Sequence, residues 1–168
     1  MGVETTASGE RSTAMGHQTE ASGDFSTVMG RETKANEYGS TAMGVQTTAS
    51  GYYSTAMGYY TDASGANSTS MGAGANASGT TSTAMGYATI ASGANSTSMG
   101  YKTKARDRSS LVIGEYNLTG STVTSSATEF SLDNTAFVIG NGTSSNKSDA
   151  FVVKFNGDTT LAGSMTAT

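Results

Sequence analysis

The chain lacks cysteine, proline and tryptophan, and only 13% of its 168 residues are charged. Without cysteine it has no disulfide bonds, thiolate metal ligands or cysteine nucleophiles. No apolar run approaches the ~20 residues of a transmembrane helix, so we expect no direct membrane insertion in this segment. The net charge is −4, and we expect no nucleic acid partner, because phosphate neutralisation requires clustered lysine and arginine.

Glycine, serine, threonine and alanine dominate the composition, with 22 glycines alone. Such a bias is common in disordered segments, but those usually also have a high net charge and few aromatic residues. This chain instead contains eight tyrosines and five phenylalanines. The bias therefore needs another explanation, and an internal repeat supplies it.

The dipeptide Met-Gly recurs every 14 residues, beginning at positions 1, 15, 29, 43, 57, 71, 85 and 99, with Ile113-Gly114 in the next slot. Each unit divides into two similar sevens of pattern S/T-x-A-x-G-x-x, as in residues 12–18 and 19–25. Small residues alternate with the period of a β-strand, not that of a helix. Each seven therefore predicts a five-residue strand and a two-residue corner. Two sevens close one coil, and stacked coils give two parallel sheets, with one coil every ~4.8 Å.

Short corners predict which residues face inward. Two residues span little distance, so the sheets must lie closer than the usual ~10 Å, and only small side chains fit between them. We expect the Ser/Thr, Ala and Gly columns inside, as in Ser12, Ala14 and Gly16 or Thr19, Ala21 and Gly23. One outer face then shows the columns of Thr13 and Met15. The other shows a variable column that we expect to face solvent: Thr6, Glu20, Lys34, Thr48, Asp62, Asn76, Ile90 and Lys104.

The recurring methionine needs a cover. An alanine interior removes too little apolar surface from water to offset easily the ordering entropy of the chain. The pattern therefore predicts self-association around a shared axis. The alternative is that methionine fills a wider roll interior. The residues predicted to line the axis are Met15, Met29, Met43, Met57, Met71, Met85, Met99, Ile113, Phe137 and Ile139.

The coil pattern S-T-A-M-G-x-x-T-x-A-S-G-x-x, with endings at 110–114 and 137–140, resembles the YadA-like head repeat of trimeric autotransporter adhesins. Similar coils occur in phage and other surface fibres. The resemblance covers residues 1–114. It implies an all-β, left-handed parallel β-roll that forms a homotrimer within an extracellular fibre, anchored in the outer membrane through parts that this chain lacks. Thr-Met stands where the family usually has Val-Ile, so the implied axis is softer and more polar.

After Gly114 the 14-residue phase breaks. We interpret residues 115–135 as an insertion loop and 136–168 as terminal coils and an irregular cap or neck. The segments 136–140 and 150–154 are again 14 residues apart, which suggests that the phase returns. Asn156-Gly157 predicts a hairpin with a type I′ turn.

The sequence offers little for catalysis. His17 is the only histidine, it occupies a corner, and no base–nucleophile pair accompanies it. The glycine-rich stretches lack a phosphate loop and the aspartate pattern of calcium-binding rolls. We expect no enzymatic activity, no metal and no cofactor.

The tyrosines are the other candidate surface, because seven of them occupy corners: Tyr38, Tyr52, Tyr53, Tyr59, Tyr60, Tyr87 and Tyr101. They could form an adhesive strip, since tyrosine is enriched at recognition surfaces, or they could pack between neighbouring protomers.

The sequence thus predicts a rigid fibre segment with polyvalent attachment to extracellular matrix or host-surface ligands. The alternatives are a purely structural spacer in a phage tail fibre or cell-surface fibre, and an ice-binding solenoid that uses the Thr13 column.

Overall fold

A computed structural model of the chain describes residues 2–118 and 127–164. Sequence predictions for Met1, for residues 119–126 of the insertion and for residues 165–168 lie outside the described residues. The described part consists of strands and turns. Within those two ranges, no helix is long and apolar enough to span a membrane.

The strands form two sheets. The long-strand sheet has 12 strands and the short-strand sheet has eight. In spatial order, the long-strand sheet contains β1 (Gly2–Val3), β3 (Thr13–His17), β5 (Thr27–Arg31), β7 (Thr41–Val45), β9 (Thr55–Tyr59), β11 (Thr69–Ala73), β13 (Thr83–Tyr87), β15 (Thr97–Tyr101), β17 (Leu111–Glu115), β18 (Thr135–Asn141), β19 (Asp149–Lys154) and β20 (Thr159–Leu161). The short-strand sheet contains β2 (Thr6–Ala7), β4 (Glu20–Ala21), β6 (Lys34–Ala35), β8 (Thr48–Ala49), β10 (Asp62–Ala63), β12 (Asn76–Ala77), β14 (Ile90–Ala91) and β16 (Lys104–Ala105).

The repeat length sets the register of both sheets. Met57 pairs with Met71 in the long-strand sheet, and Ala63 pairs with Ala77 in the short-strand sheet. Each residue therefore lies beside the residue 14 positions later, and the strands are parallel. The predicted all-β parallel solenoid of 14-residue coils is confirmed.

The two sevens of a coil differ, which the sequence analysis did not predict. The first seven forms a five-residue strand, whereas the second forms only a two-residue strand. After Ala63 the amide N–H groups of Ser64 and Gly65 both donate to the carbonyl oxygen of Ala77, each at 3.1 Å. Two successive donors on one acceptor bend the chain out of the ladder. The expectation of equal five-residue strands was therefore wrong.

The interior contains only small side chains. Ala56 and Ala63, from opposite sheets, are both fully buried, and so are the Ser/Thr columns that include Ser54 and Thr61. Some hydroxyls bond across the roll, as Ser70 Oγ does to the carbonyl oxygen of Ala75 at 2.8 Å. The prediction for the Ser/Thr and Ala columns is confirmed.

The glycine columns behave differently from one another. Gly65 is buried, as expected, but Gly58 of a Met-Gly pair is exposed. Gly58 has φ +125, and a Cβ atom there would collide with the carbonyl oxygen of Gly72 in the next coil. The Met-Gly glycine is thus required by close approach between coils. The expectation that it fills the interior was wrong.

The corners share one backbone conformation. The first corner follows the Met-Gly pair, as in His17-Gln18, and the second corner follows the buried glycine slot, as in Asp24-Phe25. The second residue of every corner has positive φ: Glu4, Arg11, Gln18, Phe25, Glu32, Gly39, Gln46, Tyr53, Tyr60, Asn67, Gly74, Thr81, Ala88, Asn95, Lys102, Ser109 and Tyr116. This region costs most L-residues ~1–2 kcal/mol. Hydrogen bonds to the preceding coil offset the cost, as from Phe25 N to Glu10 O at 2.8 Å.

Asn117 ends the short-strand sheet. It occupies the slot 14 residues after Thr103 and is 1% exposed. Its Oδ1 accepts from Lys104 N at 2.8 Å, and its Nδ2 donates to Lys104 O at 3.1 Å. The side-chain amide thus replaces the peptide group of a missing next strand. Nearby, Asp107 Oδ2 accepts from Thr135 N at 2.9 Å, which ties the insertion to the last coil.

The last three strands depart from the coil pattern. β18 continues the parallel ladder, with Val138 beside Val112, but β19 runs antiparallel to β18. The 14-residue spacing of 136–140 and 150–154 therefore does not represent a new coil. The segment between them turns back, with Thr143 N donating to Asn146 O at 2.7 Å, because it lacks the small alternating residues of a coil.

A hairpin joins β19 to β20. Gly157 N donates to Lys154 O at 3.0 Å, and Gly157 has φ +92. Asn156 is not among the residues with positive φ, and a type I′ turn requires positive φ at both central positions. The prediction of a type I′ turn was therefore wrong. The geometry fits a three-residue loop with glycine in its last position.

The corner conformation generates a stability prediction at Thr81. This β-branched residue has φ +57, whereas Asn67 and Asn95 occupy the same slot one coil away on either side. Asparagine tolerates positive φ better than threonine. We expect Thr81→Asn to raise the free energy of unfolding by ~0.5–1 kcal/mol, measured by denaturant or thermal unfolding. Thr80→Asn, at the neighbouring position with ordinary φ, is the control and should produce no such gain.

Candidate functional site

The methionine column, Met15, Met29, Met43, Met57, Met71, Met85 and Met99, lies on the outer face of the long-strand sheet. Each methionine is the third residue of its five-residue strand, so the column follows the midline of that sheet. Met15 is 41% exposed and Met99 39%, and the others are half-buried. Ala56 points inward and Met57 outward, because side chains alternate along a strand. The alternative that methionine fills the roll interior is therefore wrong.

Isoleucine continues the same line at the C-terminal end. Met99 pairs with Ile113, which pairs with Ile139. Phe137 pairs with Leu111, which pairs with Thr97. Phe137 thus extends the threonine column that runs beside the methionine column. Its ring contacts Phe151 of the antiparallel strand, with centroids 6.2 Å apart.

The seven candidate tyrosines lie on two edges of the long-strand sheet. Tyr59, Tyr60, Tyr87 and Tyr101 are in first corners, and Tyr38, Tyr52 and Tyr53 are in second corners. A five-residue strand separates the two edges. The tyrosines therefore form two surfaces and not one strip.

The second edge carries an aromatic ladder in the N-terminal half of the roll. Phe25 and Tyr38 have centroids 5.1 Å apart, and Tyr38 and Tyr53 have centroids 5.4 Å apart. The Arg11 guanidinium lies over the Phe25 ring at 5.2 Å. Gly39 leaves room for this stacking, because a Cβ atom there would meet the Tyr53 ring.

The first edge carries a second ladder in the C-terminal half. Tyr87 and Tyr101 stack with centroids 4.9 Å apart and planes 8° apart, and Tyr116 follows at 5.3 Å. Lys102 Nζ lies 5.4 Å from the Tyr116 centroid. Tyr87 and Tyr101 therefore cover one face of each other, whereas the Tyr116 ring is tilted by 58° to that of Tyr101.

Phe25 and Tyr116 belong to these ladders, but the sequence analysis did not select them. Phe25 fills the same corner slot as Tyr53, two coils earlier, and Tyr116 lies 14 residues after Lys102. Sorting the corner residues by column, instead of by residue type, would have found both.

A polar groove of about 650 Å³ runs between the short-strand sheet and the first corners near the N-terminal end. It is lined in part by Glu20, Lys34 and Tyr60. Its side chains pair from one coil to the next. Lys34 Nζ lies 3.2 Å from Glu20 Oε2, and Gln46 Nε2 donates to Glu32 Oε2 at 2.7 Å. The groove wall is therefore held together by interactions along the roll.

His17 is exposed at the end of β3, and its register partners are Val3 and Arg31. Neither of these residues can act as its orienting acid. Over residues 2–118 and 127–164, no three His, Asp or Glu side chains lie close enough together to form a metal site.

Four segments of the chain match the family model described as the YadA head domain repeat: residues 7–33, 35–61, 63–89 and 91–114. Together they cover more than half of the chain, and each spans about two coils. The chain belongs to the YadA head domain repeat family. YadA head repeats are adhesin repeats of structural, non-enzymatic type, so the chain is a fibre segment of trimeric autotransporter adhesin type. A comparison with curated proteins gave no match.

Asp62 belongs to the variable column of the short-strand sheet, and its carboxyl group makes the stability of the fold depend on pH. Burial raises the pKa of the Asp62 carboxyl above its ordinary value, and Asp62 Oδ1 is buried without a hydrogen-bond partner. The folded state therefore binds the proton more tightly than the unfolded state. The resulting stability is fully present below the ordinary pKa of about 3.9 and is lost as pH rises through the folded value.

We expect Asp62→Asn to raise the melting temperature modestly at pH 7, and the gain to vanish near pH 3. Asn76 fills the same slot one coil later, and its Nδ2 already donates to Asp62 Oδ2 at 3.4 Å. Glu20→Gln is the control, because Lys34 pairs with that carboxylate and no gain should follow. If Asp62→Asn raised the melting temperature equally at pH 7 and pH 3, the charge of the buried Asp62 carboxylate would not be the cause of the gain.

Proposed function

We propose that the chain is a rigid segment of an extracellular homotrimeric fibre, with the methionine column on the threefold axis of left-handed rolls. The central observation is the place of that column. It is the only continuous line of large apolar side chains among the described residues, and it follows the midline of one sheet. A roll with an interior of Ala, Ser and Thr has no room to bury it.

The width of the sheet supports a threefold arrangement. A five-residue strand spans roughly 17 Å without its corners, so three such strands closed into a triangle would place each midline about 5 Å from the axis. That distance is close to the length of a methionine side chain. The three columns would therefore meet without a channel.

Burial of the column supplies a driving force for assembly. At exposures near 40% for Met15 and Met99, covering what remains would contribute about 1 kcal/mol for each of these two and less for each of the five that are half-buried. The threonine beside each methionine lies on the same face. In this assembly the threonines are covered too, which argues against an ice-binding surface.

Attachment is the second part of the proposal. The fibre would present the outward corners and the short-strand sheet of three chains to extracellular matrix or host-surface ligands. Tyr52, which belongs to neither ladder, is 56% exposed, and three copies of weak contacts give avidity. A structural spacer in a cell-surface or virion fibre is the second candidate. It is favoured by the ladders, whose rings already contact one another from coil to coil.

Met57→Asp tests the assembly. It would place three carboxylates near the axis, and burial of unpaired charge is costly enough to open the trimer or to lower its melting temperature strongly. Sedimentation velocity and thermal unfolding would measure both effects. Ser64→Asp, which is exposed on the opposite sheet of the same coil, adds the same charge and should leave assembly unchanged. A trimeric Met57→Asp protein together with a dissociated Ser64→Asp protein would mean that the other sheet faces the axis.

Surface binding tests the adhesive role. We expect the wild-type chain to bind immobilised extracellular matrix proteins or cultured host cells. Met57→Asp should bind at least about tenfold more weakly, because avidity is lost with assembly. Ser64→Asp again serves as the control. A wild-type trimer that binds none of these surfaces would leave the spacer as the function.

A further inference from the structure

The two edges of the long-strand sheet carry complementary side chains, and this complementarity identifies what each edge contacts. The inference rests on the threefold assembly proposed above. When three sheets close into a triangle, the first corners of one chain lie against the second corners of the next. Such an interface is heterologous, because two different surfaces meet.

Symmetry also fixes which corners meet. Protomers related by a threefold rotation have equal heights along the axis. Within one chain, successive corners differ by seven residues, which is half a coil. Each first corner therefore lies half a coil, roughly 2.4 Å, above one second corner of the neighbour and the same distance below another. Arg31, for example, lies between the neighbour's corners at Asp24 and Tyr38.

The aromatic ladders obey this relation. In the N-terminal half the second edge carries Phe25, Tyr38 and Tyr53, and the first edge has no tyrosine or phenylalanine until Tyr59 and Tyr60, half a coil above Tyr52 and Tyr53. In the C-terminal half the situation reverses. The first edge carries Tyr87, Tyr101 and Tyr116, while the second edge has the smaller Thr81, Asn95 and Ser109. At these levels a large side chain faces a small or flexible one, except where Tyr59 and Tyr60 lie beside Tyr52 and Tyr53 of the neighbour, so that two aromatic corners meet.

Charges on the two edges are also complementary at one level of the roll, where Arg31 of one chain faces Asp24 of the next. Arg31 lies at the end of β5, with its side chain 57% exposed. In the assembly it faces Asp24 together with Phe25 of the neighbour. Arg11 of the same chain already lies over the Phe25 ring at 5.2 Å, so the neighbour's Asp24 carboxylate is the group that Arg31 would pair with. Arg31 Nε also lies 3.6 Å from Glu32 Oε1 of its own corner, and a guanidinium group can pair with more than one carboxylate.

We propose that the two edges interlock between copies of this chain, half a coil out of step, with each aromatic ladder packed against non-aromatic corners of the neighbour's opposite edge except at Tyr53, which meets Tyr60. The interlock favours the symmetric trimer over an asymmetric one in which a chain is displaced by a whole coil. The methionine columns alone do not, because a slip of one coil would again place methionine against methionine. A one-coil slip would, however, move each ladder relative to the small residues that it faces.

Disulfide cross-linking tests the register, because the chain has no cysteine. Both edges are small in the middle of the roll, at Ala66 and Ala73. We expect the double variant Ala66→Cys/Ala73→Cys to form a covalent trimer under mild oxidation, seen on non-reducing gels. The two cysteines cannot pair within one chain, since Ala66 lies in the corner before β11 and Ala73 ends that strand, which separates them by roughly 13 Å or more, and a disulfide needs Cα atoms within about 7 Å.

Two controls make the result specific. Ala73→Cys/Ala94→Cys places the cysteines one and a half coils apart across the same interface, roughly 7 Å along the axis alone, and should not cross-link. Ala73→Cys alone should also stay uncrosslinked, because equivalent residues do not meet in a heterologous interface. A non-covalent trimer in which the Ala66/Ala73 pair fails to cross-link, or in which either control cross-links equally well, would overturn the interlock but leave the trimer intact. A folded monomer would overturn both.

Discussion

The thinness of the roll is the constraint on which the rest of the structure depends. Two-residue corners hold the sheets so close that only alanine, serine, threonine and an occasional valine fit between them. Stability must then come from hydrogen bonds between coils and from apolar contacts made outside the roll. The same closeness requires glycine at Gly58 and its equivalents, where a side chain would strike the next coil. The large side chains are therefore displaced to the outer midline and to the corners, which are the surfaces that can meet another molecule.

The sequence predicted the features that depend on periodicity. The 14-residue interval gives the parallel register, and the alternation of small residues correctly places Ala56 inside and Met57 outside. It could not predict features that depend on hydrogen bonds between distant groups. The short second strand arises because two amides converge on Ala77, and the end of the short-strand sheet arises because one side chain, Asn117, imitates a peptide group. The equal spacing of Phe137 and Phe151 was misleading, because spacing does not encode strand direction.

The candidate surfaces also divide into those that the repeat predicts and those that only the structure shows. The methionine column could be read from sequence because it repeats in every coil. The aromatic ladders could be read only in part, since sorting the corner residues by column finds Phe25 and Tyr116 but only the structure shows which rings contact one another. Because the aromatic residues lie on two separate edges, their functional interpretation differs from that of a single strip. A single strip of tyrosine suggests a ligand site, whereas two ladders at different heights on opposite edges suggest surfaces that fit one another. The fibre would then use its aromatic residues mainly for register and leave attachment to the exposed short-strand sheet and the outermost corners.

The central claim is that the methionine column is covered by two other copies of the same chain. The mass of the purified chain in solution, measured by light scattering over a range of concentrations, tests it most directly. The account predicts a particle with three times the 16.9 kDa of one chain, stable on dilution. A folded and stable particle of 16.9 kDa would contradict it, because the methionine column would then remain exposed to water in the native state.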